Sequence, residues 1–119
     1  MSAVFVYGLL KPGFRLHHVA EPYIVRSAPG RVSGRLYDAG VPAARFDEDG
    51  EITGVVLWID QRRIDEALRE FDELEDEGDE YRRVRIEVRT DDGTVEAFAY
   101  EYNRSLAGRP PVGTEWIAR

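Results

Sequence analysis

The residue best suited to chemistry is a glutamate, Glu75, at the end of a predicted helix. Apolar residues recur along residues 62–75 at the spacing of one buried helical face, to which Ile64 and Phe71 belong. At roughly 100° per residue, Glu75 projects about 20° from Ile64 and about 40° from Phe71. We therefore expect its carboxyl group to point towards the core or a cavity beside it.

An inward glutamate at this place is a candidate general acid and base. Burial, neighbouring negative charges and the helix C-terminus all disfavour the ionised form, so each would raise the pKa of Glu75. A carboxyl group whose pKa approaches neutrality can both take up and return a proton. The alternative is that the acidic run simply forms a solvated face of the helix.

A second candidate site is the loop formed by Tyr7, Gly8, Leu9 and Leu10, after an apolar run at residues 3–7 that predicts a buried strand. Glycine lets the backbone approach a ligand closely, and consecutive N–H groups in such a turn can hold a carboxylate. The loop lacks the Lys-Ser/Thr pair and the spacing of a P-loop. It is therefore a candidate anion site of another kind.

Other reactive side chains indicate no further chemistry. The chain has no cysteine, which excludes a disulfide scaffold, a thiolate zinc site and a cysteine nucleophile. No serine stands in a nucleophile-elbow setting. The neighbouring His17 and His18 would diverge, so we expect no metal site and no cofactor. Tyr81 and Tyr102 could line a cleft or belong to the core.

One mixed domain, residues 1–119, is expected to position these groups. The longest apolar run, residues 52–59, predicts a central strand, and residues 81–90 and 94–102 predict a hairpin. Two more strands are predicted at residues 23–28 and 31–37, with a break at Pro29-Gly30, and the tail is expected to wrap the body. About six strands with one good helix predict an α+β fold with a barrel-like sheet.

Charge and hydropathy argue against two kinds of partner, nucleic acids and membranes. Of 23 acidic residues, eight lie in residues 70–80, and the rest of the chain carries 15 acidic against 16 basic residues. Without a basic face, we expect no nucleic-acid partner. No apolar run approaches the roughly 18–20 residues of a membrane span, so we expect no membrane partner and a cytoplasmic location.

Several segments occur in a recognisable order: VFVYGLLKPG near the N-terminus, GRLYDAGVPA at residues 34–43, then FDELED, YRRV, AYEYN and GTEW. In this order they resemble the gamma-glutamylcyclotransferase-like family, also described as the AIG2-like group. Its members open with V-Y-G-Thr-Leu-x-x-G, continue with G-x-L-Y-x-x-G-x-P-A and carry an L-D-x-x-E-G block before Tyr-x-Arg. The matches extend from Val4 to Trp116, and their combination is specific although each piece alone is not.

The resemblance implies a small mixed barrel that cleaves γ-glutamyl amides as small-molecule substrates, without a metal or an enzyme nucleophile. The substrate's own α-amine attacks its γ-carbonyl, expels an amine and closes 5-oxoproline. The family's glutamate corresponds to Glu75, as general acid and base. The backbone of residues 8–10 would hold the α-carboxylate or polarise the γ-carbonyl. Tyr7 and Tyr81 would shape the pocket, and Tyr102 would close it.

Three departures from the family pattern keep alternatives open. Leu9 stands where the family usually has a small hydroxyl residue, and Asp76 replaces the glycine that commonly follows the glutamate. Glu77 with Gly78 offers a competing register, although Glu75 has the better spacing from its neighbours. A non-catalytic binding domain with the same pocket is therefore the rival hypothesis, and the leaving group of the substrate stays open.

Overall fold

Five strands close a barrel around the core. The structure is a computed structural model that describes residues 2–119. The barrel order is β1 (Ala3–Val6), β5 (Glu51–Ile59), β2 (Ile24–Ser33), β6 (Tyr81–Thr90) and β7 (Gly93–Tyr102). Neighbouring strands run antiparallel except β1 and β7, which pair in parallel and complete the closure. The predicted α+β fold with a barrel-like sheet is confirmed.

Two shorter strands and two helices cover the barrel. β3 (Arg35–Asp38) and β4 (Pro42–Arg45) form a separate antiparallel pair. α1 (His17–Ala20) follows the first loop and continues into the 3₁₀ turn Glu21–Tyr23. The 3₁₀ turn Gln61–Arg63 leads into α2 (Ile64–Leu74), the long helix. No helix in residues 2–119 is long and apolar enough to cross a membrane.

Close packing fixes β1, the strand that leads into the first loop. All four residues of β1 are buried, and β1 pairs with β5 from Ala3↔Trp58 to Val6↔Val55. A Cβ atom on Gly54 would lie 2.4 Å from the Val6 carbonyl oxygen. Only glycine therefore lets β5 approach β1 this closely, and the approach sets where the loop after β1 begins.

The predicted strand break at Pro29-Gly30 is wrong. β2 runs without interruption from Ile24 to Ser33, and the chain turns instead at Gly34, whose φ is +152°. Gly30 allows close packing, because a Cβ atom there would lie 2.6 Å from Val88. The prediction of six strands was also short by one, because residues 42–45 pair with β3.

The C-terminal tail, residues 108–119, lies along the body of the protein, as the sequence predicted, and we call it the strap. The Val112 N–H donates to the Leu36 carbonyl oxygen at 2.9 Å, and the Thr53 N–H donates to the Thr114 carbonyl oxygen at 2.7 Å. Lys11, at the end of the first loop, donates through Nζ to the Trp116 carbonyl oxygen at 2.6 Å. The strap therefore joins three separate parts of the molecule.

Candidate active site

A cavity of about 200 Å³ opens where the end of β1 meets the end of α2. Its wall is formed by residues 5–10, 15–16, 41–42, 74–75, 80–81 and Tyr100. The structure thus brings together Glu75 and the loop of residues 7–10, which are more than sixty positions apart in the chain. Tyr81 joins them from the start of β6.

Glu75 is the C-cap residue of α2, and its carboxyl group is largely buried in the cavity wall. Its N–H donates to the Phe71 carbonyl oxygen at 2.9 Å, which holds the residue on the helical path predicted from the sequence. Burial, and then the negative charge of Glu80, raise the pKa of Glu75 from 4.5 to about 7. The carboxyl group can therefore exchange a proton near neutral pH.

The backbone after Glu75 turns sharply, and the next acidic residues, Asp76, Glu77 and Asp79, are exposed to solvent. The Glu77 N–H donates to the Asp72 carbonyl oxygen at 2.9 Å, and the Asp76 N–H donates to the Glu73 carbonyl oxygen at 3.3 Å. These two bonds form a Schellman motif, in which Asp76 takes the left-handed conformation with φ +52°. The position where the family commonly has glycine is thus the one that favours glycine.

Glu77, the competing candidate, lies outside the cavity. Its side chain is exposed, and its Oε2 accepts a hydrogen bond from the Arg83 N–H at 3.2 Å. The structure therefore places Glu75, and not Glu77, beside the first loop.

The loop presents backbone N–H groups that are free to bind a ligand. Within residues 2–119, the N–H groups of Gly8, Leu9 and Leu10 donate to no protein acceptor. Their carbonyl groups are engaged: the Leu9 oxygen accepts from the Leu16 N–H at 3.0 Å, and the Gly8 oxygen accepts from the Lys11 N–H at 3.2 Å. Consecutive unpaired N–H groups of this kind bind anions and developing negative charge.

Only glycine fits at position 8, because the backbone there lies close to Pro42 on the opposite side of the cavity. A Cβ atom at this position would lie 2.7 Å from Cγ of Pro42, so any side chain would push the loop away. Leu9 supplies no side-chain hydroxyl group, so residues 8–10 can donate hydrogen bonds only through their backbone N–H groups.

Tyr7 and Tyr81 line the cavity, and their neutral hydroxyl groups donate hydrogen bonds to the backbone. The Tyr7 hydroxyl donates to the Tyr100 carbonyl oxygen, and the Tyr81 hydroxyl donates to the Pro42 carbonyl oxygen. Burial, with the charge of Glu75 as a further cause, raises the pKa of both phenols well above the ordinary value. Neither phenol is therefore a base at neutral pH.

Tyr102 does not line the cavity. It packs against Tyr81, with the two ring centroids 5.4 Å apart and the rings nearly perpendicular. This edge-to-face contact helps to fix the orientation of the Tyr81 ring.

Three further polar residues of the wall were not predicted from the sequence: Arg15, Glu80 and Tyr100. The Tyr100 hydroxyl donates to Oδ1 of Asp72 at 2.7 Å, and Arg83 Nη1 pairs with Oδ2 at 2.7 Å. The position of Glu80 directly before Tyr81, a predicted site residue, could have indicated that Glu80 belongs to the site. Arg15 carried no such signal, because it lies in an irregular segment.

His17 lies beside the loop, outside any cluster of possible metal ligands among the described residues. Within residues 2–119, no group of three or more histidine or acidic side chains could hold a metal ion. His17 lies 2.8 Å through Nδ1 from the Leu10 carbonyl oxygen, which ties it to the loop.

Comparisons with known proteins agree with this geometry. A 33% identical protein from Methanocaldococcus jannaschii, provisionally named a gamma-glutamylcyclotransferase, aligns over 112 residues and 88% of each chain. AIG2-like protein B of Arabidopsis thaliana is 32% identical over 120 residues, covering 95% of this chain and 64% of that protein.

Solved structures share the fold. YkqA of Bacillus subtilis superimposes with a TM-score of 0.73 at 28% identity over 93% of this chain, which spans 37% of YkqA. An AIG2-like protein from Mus musculus gives a TM-score of 0.76 at 23% identity, covering 98% of this chain and 88% of that one. A model of the family described as gamma-glutamyl cyclotransferase, AIG2-like, matches residues 4–118. The chain therefore belongs to the gamma-glutamyl cyclotransferase, AIG2-like family.

Proposed function

We propose that the protein is a γ-glutamyl amide cyclotransferase that releases 5-oxoproline and an amine or amino acid. The observation that carries the proposal is one cavity that joins a buried carboxyl group, with its pKa raised to about 7, to three unpartnered backbone N–H groups. An intramolecular aminolysis needs these two elements: a group that moves protons and a cradle for negative charge.

Glu75 moves the proton in both steps of the reaction. Its carboxylate removes a proton from the substrate's α-ammonium group, and the freed amine forms a bond to the γ-carbon. The amide C–N bond then breaks as Glu75 returns this proton to the leaving nitrogen. The new ring nitrogen still carries one extra proton, which the Glu75 carboxylate takes up and passes to the released amine, so that 5-oxoproline and an ammonium group are the products. One group whose pKa lies near neutrality serves both transfers, because it is neither too weak a base nor too weak an acid.

The loop binds the negative part of the reacting substrate. The N–H groups of residues 8–10 hold the α-carboxylate or the oxyanion that develops on the γ-carbonyl oxygen. Tyr7 and Tyr81 form adjoining walls, and their hydroxyl groups are already engaged with backbone carbonyl groups. They therefore shape the cavity and do not exchange protons with the substrate.

A binding domain without activity is the second candidate. It is favoured by Leu9, which removes the hydroxyl group that the family usually carries in the loop. In that case the same cavity would hold a γ-glutamyl compound without converting it.

The test is to incubate the protein with a panel of γ-glutamyl amides and to measure 5-oxoproline. We expect turnover by the wild type and a loss of at least 100-fold in Glu75→Gln, because general acid–base catalysis contributes about 10²–10⁴-fold. The matched control is Glu77→Gln, which makes the same change two residues away on an exposed side chain and should keep full turnover.

Two results would contradict the assignment. Turnover that survives in Glu75→Gln would remove Glu75 from the mechanism. No turnover on any amide, together with thermal stabilisation of the protein by the same compounds, would establish the binding domain.

A further inference from the structure

Arg15 is the single basic side chain among the described residues of the cavity wall. Arg15 contributes to the cavity wall, and no carboxylate in residues 2–119 lies within 4.0 Å of its guanidinium group. The other charged side chains of the wall are Glu75 and Glu80. An unpaired guanidinium group beside two carboxyl groups suggests an anionic group on the ligand.

The fold holds Arg15 next to the loop. The Leu16 N–H donates to the Leu9 carbonyl oxygen at 3.0 Å, which fastens the chain after Arg15 to the loop of residues 8–10. The Arg15 carbonyl oxygen lies 3.0 Å from His18 Nδ1. The backbone of Arg15 is therefore fixed, while its side chain reaches the solvent-exposed edge of the cavity.

In the proposed mechanism, the glutamyl half of a γ-glutamyl amide lies deep in the cavity and the leaving amine lies nearer to solvent. The proposed mechanism places the glutamyl half beside Glu75, which is largely buried, with the loop N–H groups available for its α-carboxylate. The leaving amine must then extend towards solvent, where the exposed side chain of Arg15 lies.

We propose that Arg15 binds a carboxylate carried by the leaving group, so that the preferred substrates are γ-glutamyl amino acids or peptides. The inference rests on the proposed function, because it takes the orientation of the substrate from that mechanism. The two carboxyl groups of the wall, Glu75 and Glu80, repel an anionic leaving group when they are ionised. Arg15 supplies the attraction that such a leaving group requires.

The experiment compares two substrates that differ only by one carboxylate: γ-glutamyl-alanine and γ-glutamyl-ethylamine. For the wild type, we expect kcat/KM to favour γ-glutamyl-alanine by about tenfold, which is typical of one charge-assisted contact at an exposed edge. Arg15→Gln should abolish this preference, and Arg15→Lys should restore part of it. The preference of the wild type should also shrink between 0.05 and about 0.5 M salt, because the contact is exposed and therefore screened.

The matched control is Arg109→Gln, which makes the same change of charge on an exposed residue outside the cavity wall and should keep the preference. No preference in the wild type overturns the proposal. An equal loss on both substrates in Arg15→Gln also overturns it, because Arg15 would then bind the glutamyl half.

Binding measurements separate this proposal from the proposed function. If neither compound yields 5-oxoproline, both are titrated into the wild type and Arg15→Gln by calorimetry. Tighter binding of γ-glutamyl-alanine that disappears in Arg15→Gln supports the role of Arg15 even though catalysis has failed. Equal affinities for the two compounds overturn it.

Discussion

At the scale of single residues, burial in the cavity wall sets the carboxyl group of Glu75 apart from most of its acidic neighbours. The others that follow it along the chain, Asp76, Glu77 and Asp79, are exposed to solvent. Glu80 is the exception, because it shares the cavity and adds its charge to the effect of burial. Both causes favour the protonated form of Glu75.

The raised pKa of Glu75 predicts how the activity depends on pH. The free enzyme needs an ionised Glu75, so kcat/KM for a γ-glutamyl amide should fall as the pH drops through about 7. Glu80→Gln removes a repelling charge and should move this acidic limb to lower pH, whereas Glu77→Gln should leave it in place. The measurement is a pH profile of kcat/KM for the three proteins. An acidic limb of the wild type near 4.5 would contradict the perturbed pKa.

The raised pKa of Glu75 also predicts that the folded protein is less stable at high pH, where Glu75 is ionised. Below about pH 4.5, Glu75 is protonated in the folded and the unfolded chain, and burial carries no penalty. Between 4.5 and 7 only the unfolded chain loses the proton, so the free energy of unfolding falls as the pH rises, and above 7 the full cost applies.

Glu75→Gln should therefore stabilise the protein at pH 8 by on the order of 2–3 kcal/mol relative to its effect at pH 4. Urea denaturation of the wild type and the variant at both pH values measures the difference. Glu77→Gln, on an exposed side chain, serves as the reference. A gain of the same size at both pH values would show that ionisation of Glu75 is not its source.

At the scale of elements, the end of α2 determines where the carboxyl group lies. The Schellman motif stops the helix directly after Glu75 and needs one residue with a left-handed backbone. Asp76 occupies that position at a conformational cost, and its contact with Arg104, at 3.7 Å between partly exposed groups, contributes little in return.

Asp76→Gly should therefore raise the free energy of unfolding by about 1 kcal/mol and retain the activity of the wild type. Thermal and urea denaturation measure the stability, and 5-oxoproline release measures the activity. Asp76→Ala is the control, because it removes the same charge but keeps a Cβ atom, and it should give no gain. Equal stabilisation by both substitutions would assign the effect to charge and not to the backbone.

At the scale of the whole molecule, the C-terminal strap joins the loop of the site to the barrel. Lys11, the only lysine of the chain, is 4% exposed and donates to the Trp116 carbonyl oxygen. Burial lowers the pKa of Lys11, which shows that its ammonium group is held in a poorly solvated place. The strap thus holds the end of the loop through Lys11.

Lys11→Ala should lower the free energy of unfolding by about 1–3 kcal/mol, because it removes a charged hydrogen bond and the packed stem of the side chain. Lys11→Met keeps the stem and should cost less. Amide hydrogen exchange of Val112 and Thr53, whose N–H groups bond across the strap, should become faster in both variants. Unchanged exchange at these two amides would show that Lys11 does not hold the strap.

The sequence by itself determined the features that depend on local periodicity. The alternation of residues 81–90 predicted β6 with the bounds that the structure has, and the helical spacing predicted that Glu75 faces inwards. The motif order indicated the family, which the comparisons confirmed. The break at Pro29-Gly30 was misplaced because close packing inside the barrel, and not local turn chemistry, decides the path of β2.

Only the tertiary structure decided which residues share the cavity. Arg15, Glu80 and Tyr100 come from three segments with no common sequence pattern, and the barrel closure brings them to one wall. Tyr102 was predicted to close the pocket, but it is not part of the cavity wall and instead packs against Tyr81. Periodicity fixes which side of its own element a residue occupies. Its distance from residues far along the chain depends on how the elements pack, and that distance determines the chemistry of the site.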